Sequence, residues 1–447
     1  MEKTVQPSNK CKRNHVGLED RISRFPDEIL VSILSFLTFE EAVRTSVLSH
    51  RWKHLWPFFS GSLDFDDPDT MWDIADKKKQ LKVERNNFAK RVNRILKLHQ
   101  GSNIDQFRVC FEFNRYSKHR VDGWIDFAMS KRVKRLELDF TPTWVCKSQM
   151  RYTFPHEWFT KLESSVGVSC IKSLMSLTLM NVRVTGKLLE HLLSNCPLLE
   201  RLHVSDSDDL VTVKVCGSSL RLKYLHIIRC LEFKSIEIFA PNLESLGLIG
   251  RQTEMHVNHA PCLLDVCIGG SKPVTSAICP LSSYLSQLQS LILHICIYPN
   301  EKLEFLKFQP LTNLRHLKWR VTASDGESLV YLISMVEAAP FLQKFTLELL
   351  WSKPLIEREF RKVMKYPNEH LKELEIMGFV GRAIDMELTV YLLESAIKLE
   401  KIVINPRSPA LVGTPWEFET TEKNEGAIEC ANQLKKNLPQ GAELLIL

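Results

Sequence analysis

A short apolar pattern, L-x-x-L-x-L with apolar substitutes, recurs eleven times from residue 133 onward. After the first gap, subtracting the starting positions gives spacings of 20 to 29 residues. A period of this length is typical of chains in which one small unit stacks on the next, so the chain is predicted to form an elongated array. The copies begin at Val133, Leu174, Leu199, Leu222, Leu243, Leu263, Leu288, Leu314, Leu342, Leu371 and Leu399.

This period resembles that of leucine-rich repeats, in which each unit contributes one strand to a curved parallel sheet. Successive side chains of a strand face opposite sides, so the fourth and sixth positions of the pattern should face the interior, as Leu177 and Leu179 do in the second unit. The residue between them should face outward. An earlier, irregular unit is predicted at Ile104, Phe107 and Val109.

Residues 18 to 58 carry a second signal, because their three predicted helices hold more apolar surface than so small a unit can bury. Pro26 suits the start of a helix, and the acidic residues that follow it favour the helix N-terminus. Thr38 and Glu41 form a predicted capping box at the start of the second helix. An apolar stripe on the first helix comprises Ile29, Leu30, Ile33, Leu34 and Leu37.

RISRFPDEILVSILSFL followed by AVRTSVLSHRWKHLW resembles the plant form of the F-box. The resemblance implies binding to a Skp-family adaptor and, through it, to a cullin scaffold. Phe25 replaces the usual Leu before the proline, and Thr38 replaces a second Pro, so adaptor affinity stays open. The alternative is an ordinary helical subdomain that covers the next domain. Carried over from the family, the adaptor-binding positions are Pro26, Ile29, Leu30, Ile33, Leu37, Leu48 and Trp52.

The segment from His370 to Pro406 resembles the FBD domain that follows the repeats in many plant F-box proteins. A strand, a turn with Gly378 and Gly381, a helix and a second strand make up the pattern. The final segment should close the open end of the sheet, with a helix near residues 427–436 and a strand at 443–447.

These resemblances predict an α/β protein in which a small three-helix F-box precedes a leucine-rich-repeat solenoid, and an FBD-type α/β cap closes it. The predicted limits are 18–64 for the F-box, 65–132 for a helical or irregular bridge that includes the irregular first repeat, 133–365 for the regular repeats and 366–447 for the FBD domain.

Motifs for catalysis or cofactor binding are missing from the sequence: there is no P-loop, no G-x-G-x-x-G, no G-x-S-x-G and no H-E-x-x-H. We therefore expect neither an enzyme nor a cofactor. Candidate zinc ligands lie within twelve residues at His256, His259, Cys262 and Cys267, since imidazole and thiolate suit zinc. Their register argues against convergence, and no metal site is predicted.

The composition limits which partners and which cellular compartments are expected for this protein. The net charge of +6 is small for 447 residues, so nucleic acid is not an expected partner. The longest apolar runs are shorter than 18 residues, so no membrane span is expected. The twelve cysteines form no C-x-x-C, and the first residues do not resemble a signal peptide. A reducing compartment, nucleus or cytoplasm, is predicted.

A target-binding surface is expected on the side chains between the repeat leucines. Basic residues concentrate there near residue 318, and Arg and Lys clusters recognise acidic or phosphorylated segments or small polyanions. The alternative is a solvated face that binds nothing. The candidate residues are Leu264, Ile292, Arg315, His316, Lys318, Arg320 and Lys344.

The sequence therefore favours the substrate-recognition subunit of an SCF-type cullin-based ubiquitin ligase, whose repeats bind a target protein for ubiquitylation. The alternative is a leucine-rich-repeat scaffold or ligand sensor that delivers no substrate. In neither case does the chain itself supply catalytic chemistry.

Overall fold

The computed structural model describes residues 22–142, 150–155, 172–251, 253–271, 274–297, 308–323, 328–351, 366–411 and 422–447. Fourteen of its strands form one sheet, and every neighbouring pair in that sheet is parallel. In spatial order they are β1 (Ser62–Asp66), β2 (Gln106–Cys110), β3 (Arg135–Asp139), β5 (Ser176–Met180), β7 (Arg201–Ser205), β9 (Tyr224–Ile228), β11 (Ser245–Gly250), β13 (Asp265–Gly270), β14 (Ser290–Ile297), β15 (His316–Ala323), β16 (Lys344–Trp351), β17 (Glu373–Met377), β18 (Lys401–Asn405) and β19 (Glu443–Ile446).

All eleven predicted repeats are confirmed, because a strand of this sheet begins two residues after each predicted start. The residues at the fourth and sixth positions, such as Leu177 and Leu179, are buried in all eleven units, and the residue between them is partly exposed except at Gly247 and Thr346. The predicted fold class is therefore confirmed. Burial of alternate side chains along every strand supplies the main stabilising term, because each unit alone cannot cover its apolar face.

The array begins earlier than residue 133. β2 occupies the segment predicted as irregular, and β1 crosses the predicted limit between F-box and bridge. Phe65 and Phe107, neighbours in the core, provide the inward side chains that make these strands regular members of the sheet. The bridge at 65–132 is thus part of the repeat sheet, with three α-helices inserted between its first strands.

Two small sheets and eleven helices complete the described part of the chain. The small sheets contain β8 (Thr212–Cys216), β10 (Ser235–Phe239) and β12 (Glu254–His259), and β4 (Tyr152–Thr153) with β6 (Val182–Arg183). The helices are α1 (Asp27–Leu34), α2 (Phe39–Arg44), α3 (His50–Leu55), α4 (Pro68–Ala75), α5 (Leu81–Leu98), α6 (Lys118–Ser130), α7 (Gly186–Asn195), α8 (Val274–Ile278), α9 (Ile333–Glu337), α10 (Ala383–Ser395) and α11 (Glu422–Gln433). Within these ranges, no helix combines the length and the apolar character that crossing a membrane requires.

The first three helices begin at the residues that the sequence indicates. Pro26 precedes α1, and the side chain of Thr38 accepts from the backbone of Glu41 while the Glu41 carboxylate accepts from the backbone of Thr38. Ser49 accepts from the backbone N–H of Trp52 at the start of α3. These contacts satisfy N–H groups that no helical carbonyl can reach.

An aromatic chain fixes the three helices to the first strand. Phe39 of α2 lies edge-on to Phe59, with ring centroids 5.8 Å apart, and tilted against Phe65 of β1. The buried His99, after α5, lies 2.7 Å from the carbonyl oxygen of Phe59. The helices therefore share one core with the sheet instead of forming a separate unit.

At the other end, β19 pairs with β18 and extends the sheet as predicted. Gly378 and Gly381 both have positive φ in the turn that precedes α10, a conformation that glycine adopts without strain. The fully buried Asp385 accepts hydrogen bonds from the backbone of Val380, Gly381 and Arg382. This carboxylate holds the turn in place.

Candidate functional site

The N-terminal helices leave several large apolar side chains exposed. Ile29 and Ile33 lie four residues apart on one side of α1, and Phe36, just after the end of that helix, is 89% exposed. Val47 and Leu48, in the turn that leads into α3, are 86% and 66% exposed. So many exposed apolar side chains on about 40 residues indicate a surface that another protein covers.

Two of the expected adaptor-binding residues are placed differently. Leu30 is fully buried and Trp52 is nearly so, and both pack in the chain's own core. Leu30 is buried because the apolar stripe on α1 is wide, so that one side of it packs in the core and the other side is exposed. Leu37 is only partly buried, and it packs against the same core.

The remaining expected residues, Pro26, Ile29, Ile33 and Leu48, are exposed. Arg51 fixes the start of α1 relative to α3: its guanidinium lies 2.6 Å from Asp27 and donates to the carbonyl oxygen of Phe25. We define the docking face as Phe25, Pro26, Ile29, Ile33, Phe36, Val47 and Leu48. Phe25, Phe36 and Val47 were missed from sequence, although the spacing of Phe36 from Ile29 could have indicated it.

The second surface is the open face of the large sheet, which we call the concave face. Because the strands pair in register, its outward side chains form rows that run across the repeats. Lys318 lies beside Ile292 in one row, and Arg320 lies between His294 and Glu348 in the next. These rows decide which charges meet.

The predicted basic stretch is not a free positive surface. Glu348, 5% exposed, bonds to both Lys318 and Arg320, and Lys344 lies 3.3 Å from both Glu373 and Glu375. Burial alone would raise the pKa of Glu348, but hydrogen bonds and charge from Arg320 and Lys318 outweigh it and hold that pKa below its usual range. Three cations therefore face three carboxylates.

The other predicted target-binding residues lie around this network. Ile292 and His316 are on the concave face, in β14 and β15. Leu264 and Arg315 precede β13 and β15 by one residue and so lie at the edge of that face. The Arg315 guanidinium lies 5.2 Å from the ring centroid of Phe341 and donates to its carbonyl oxygen. Arg315 is therefore engaged with its own chain.

The middle of the concave face carries imidazoles that the sequence reasoning missed. The rings of His203 and His226, on neighbouring strands, lie 5.9 Å apart, and His226 reaches Ser245 Oγ at 3.2 Å. Gly247 leaves room for the His226 ring, since a Cβ there would lie 2.8 Å from it. Burial lowers the pKa of His203 and of His294 to about 4, with further lowering from His226 and Arg320 respectively. This centre is neutral near pH 7.

At the β1 end of the concave face, acidic side chains outnumber basic ones. Arg108 contacts the carboxylates of Asp64, Asp66 and Glu137 at 2.8 to 3.0 Å. Burial would lower the pKa of Arg108, but these three carboxylates raise it above its usual value. The concave face thus changes from acidic through neutral to charge-balanced along the array.

We find no metal-binding site in the described ranges. No group of three or more His, Cys, Asp or Glu side chains there is arranged to hold a metal ion. His256 and His259 lie on β12 of a small sheet, whereas Cys267 lies on the large sheet. The fold and its two surfaces define a leucine-rich-repeat protein with an N-terminal three-helix module that exposes apolar side chains.

Comparison with known proteins extends this class. The F-box domain family model matches residues 22–58, and the model described as the At1g61320/AtMIF1 LRR domain matches residues 95–410. F-box/LRR-repeat protein At3g03360 of Arabidopsis thaliana is 28% identical over 409 residues, covering 88% of this chain and 71% of that protein. FBD-associated F-box protein At4g10400 of the same plant is 26% identical over 424 residues, covering 86% and 92%.

F-box/LRR-repeat protein 25, also from Arabidopsis thaliana, is 33% identical over 248 residues, which cover 53% of this chain and 88% of that protein. The chain belongs to the plant F-box/FBD/leucine-rich-repeat family.

Replacing Glu348 with Gln should leave the positive charges of Lys318 and Arg320 without a neutralising carboxylate. Lys318 and Arg320 would lose their shared carboxylate, so binding to heparin, a model polyanion, should strengthen by about tenfold or more at physiological ionic strength. Heparin-affinity chromatography measures this. Glu254→Gln, the same charge change at an exposed site, is the control. Equal retention of both variants would contradict the assigned pairing.

Lowering the pH should destabilise the neutral centre. Unfolded imidazoles take up protons near pH 6.5, whereas folded His203 and His294 do so only near pH 4, so stability falls through that window. Allowing for partial exposure, the two histidines together should lower the free energy of unfolding by on the order of 2 kcal/mol across this pH range. Thermal unfolding of wild type should therefore show a larger acid shift than His203→Gln plus His294→Gln. Identical pH profiles would refute the neutral assignment.

Proposed function

We propose that this protein is the substrate-recognition subunit of an SCF-type cullin-based ubiquitin ligase. The observation that carries the proposal is the docking face, where Ile29 and Ile33 are exposed on α1, Phe36 is exposed just after it, and Val47 and Leu48 are exposed before α3. A Skp-family adaptor would cover these side chains and link the chain to the cullin.

The chain would act by position rather than by catalysis. Docking at its first helices and holding a target on the repeats would bring the target near a ubiquitin-conjugating enzyme, and a raised effective concentration then increases the transfer rate. The aromatic contacts of Phe39 with Phe59 and Phe65 support this role, because they hold the docking face in a fixed relation to the sheet.

The target is proposed to bind the concave face. His203, His226 and Ile292 make its middle neutral, so a target segment with uncharged side chains fits there better than a polyanion. The paired charges at Lys318, Arg320 and Lys344 would orient such a segment rather than attract a phosphate. They remain part of the proposed surface for that reason.

The proposed domain limits keep the sequence-based scheme with one change. The F-box extends from about residue 18 to the start of β1, the repeat sheet begins at β1 instead of residue 133, and the FBD-type cap covers 366–447. The three inserted helices α4, α5 and α6 belong to the first repeats.

Capture of a purified Skp-family adaptor and cullin tests the docking face. Ile33→Asp plus Val47→Asp places charges on exposed positions, so the chain should stay folded while adaptor affinity falls by tenfold or more, equivalent to about 1.4 kcal/mol. Leu30→Asp is unsuitable because it would bury a charge in the core.

Leu231→Asp, which charges an exposed leucine in a repeat, is the matched control and should capture both proteins like wild type. Retained capture by the double variant would refute the docking face. If folded wild type captures neither protein, the scaffold or sensor function replaces the ligase function.

A further inference from the structure

A cavity of about 380 Å³ lies at the edge of the solenoid, where α9 and α10 end and the chain turns into β17. We call it the edge pocket. It belongs to neither the docking face nor the concave face. Its polar and aromatic lining includes Glu337, Tyr366, Glu369, His370, Tyr391 and Ser395.

The edge pocket is electronegative. Glu337 and Glu369 are exposed carboxylates, and within the described residues neither forms an ion pair with a cation. Glu337 and Ser395 are also the last residues of α9 and α10, and helix C-termini favour positive charge. An anionic ligand would be repelled from this pocket.

One hydrogen-bonding group of the pocket, the hydroxyl of Ser395, is unused. Ser395 is 4% exposed, and its buried Oγ lacks a hydrogen-bond partner, although its carbonyl oxygen accepts from the backbone of Asn368. It lies near the Tyr391 hydroxyl, which donates to Glu337 at 3.1 Å. Burial, and then the charge of Glu337, raise the pKa of Tyr391, so this hydroxyl stays a donor. A donating ligand would satisfy Ser395.

His370 supplies another acceptor. Its Nδ1 lies 3.1 Å from the carbonyl oxygen of Pro340, and because a carbonyl only accepts, Nδ1 carries the proton in this contact. In the neutral ring, Nε2 is then an acceptor. Carboxylates, a serine oxygen and an imidazole nitrogen together match a ligand that only donates hydrogen bonds.

Aromatic faces complete the site. The ring of Tyr366 is 52% exposed, and Tyr391 forms part of the wall. Just outside, the guanidinium of Arg315 lies over Phe341, which packs edge-on against His370 at 5.0 Å. This edge of the solenoid thus already contains one guanidinium on an aromatic ring, an arrangement stabilised by cation–π attraction.

We propose that the edge pocket binds a basic side chain of a partner polypeptide, and that it prefers arginine to lysine. The guanidinium is planar, so it can stack on a tyrosine ring while its five donors reach Glu337, Ser395 Oγ and His370. A lysine ammonium presents three donors and no flat face. This site goes beyond the proposed adaptor and target surfaces and does not depend on them.

Titration of the full chain with the peptide acetyl-Gly-Arg-Gly-amide, followed by saturation-transfer NMR, tests the site. The matched probe replaces arginine with citrulline, which has the same shape but no charge. Arginine peptide should bind, lysine peptide should bind several-fold more weakly, and citrulline peptide should not bind measurably.

Variants connect binding to the named residues. Glu337→Gln plus Glu369→Gln should weaken the arginine peptide by about tenfold or more, and exposed Glu232→Gln should leave binding unchanged. Ser395→Ala should weaken binding several-fold without lowering the unfolding temperature, because its hydroxyl has no partner to lose. No binding of the arginine peptide, equal binding of the citrulline peptide or an unaffected double variant would overturn the proposal.

Discussion

The register in which each strand pairs with the next is the constraint on which the rest of this structure depends. It places the inward apolar side chains of neighbouring units, such as Leu317 and Phe345, side by side in the core. The same register sets outward side chains beside each other, so Arg320 meets Glu348 and His203 meets His226. One backbone arrangement therefore determines both the stability of the array and the chemistry of its concave face.

The two interaction surfaces have different physical characters. The docking face is apolar and exposed, and contacts from Phe39 and His99 hold its helices on the first strands. The concave face is acidic near β1, neutral in its middle and charge-paired near β15 and β16. Such a division suits the proposed function, in which one constant partner binds strongly and a second partner binds selectively. A mismatched partner would remove water from the paired charges without replacing its hydrogen bonds, and this desolvation costs free energy of binding.

The sequence predicted the array well, since apolar spacing reports burial directly, and all eleven units appear as strands. It predicted β2 only as an irregular first repeat and missed β1, because helices separate these strands and Phe65 and Phe107 take the place of leucines. The family resemblance assigned Leu30 to the adaptor-binding residues, and the apolar periodicity could not correct this, because it does not tell which side of a wide stripe meets the core. Glu348 was overlooked because it lies 28 residues after Arg320, although aligning the two repeats sets both at the same position.

Hydrogen exchange of the chain, alone and with a saturating Skp-family adaptor, tests the central claim most directly. The account predicts added protection in peptides from residues 22–58, where the docking face lies, and unchanged exchange in the strands from β5 to β18. Hydrogen exchange of the adaptor in the same complex is a second measurement, and the adaptor should also gain protection on binding. Protection across the strands, or no protection in residues 22–58 despite binding, would contradict a docking face confined to the first helices.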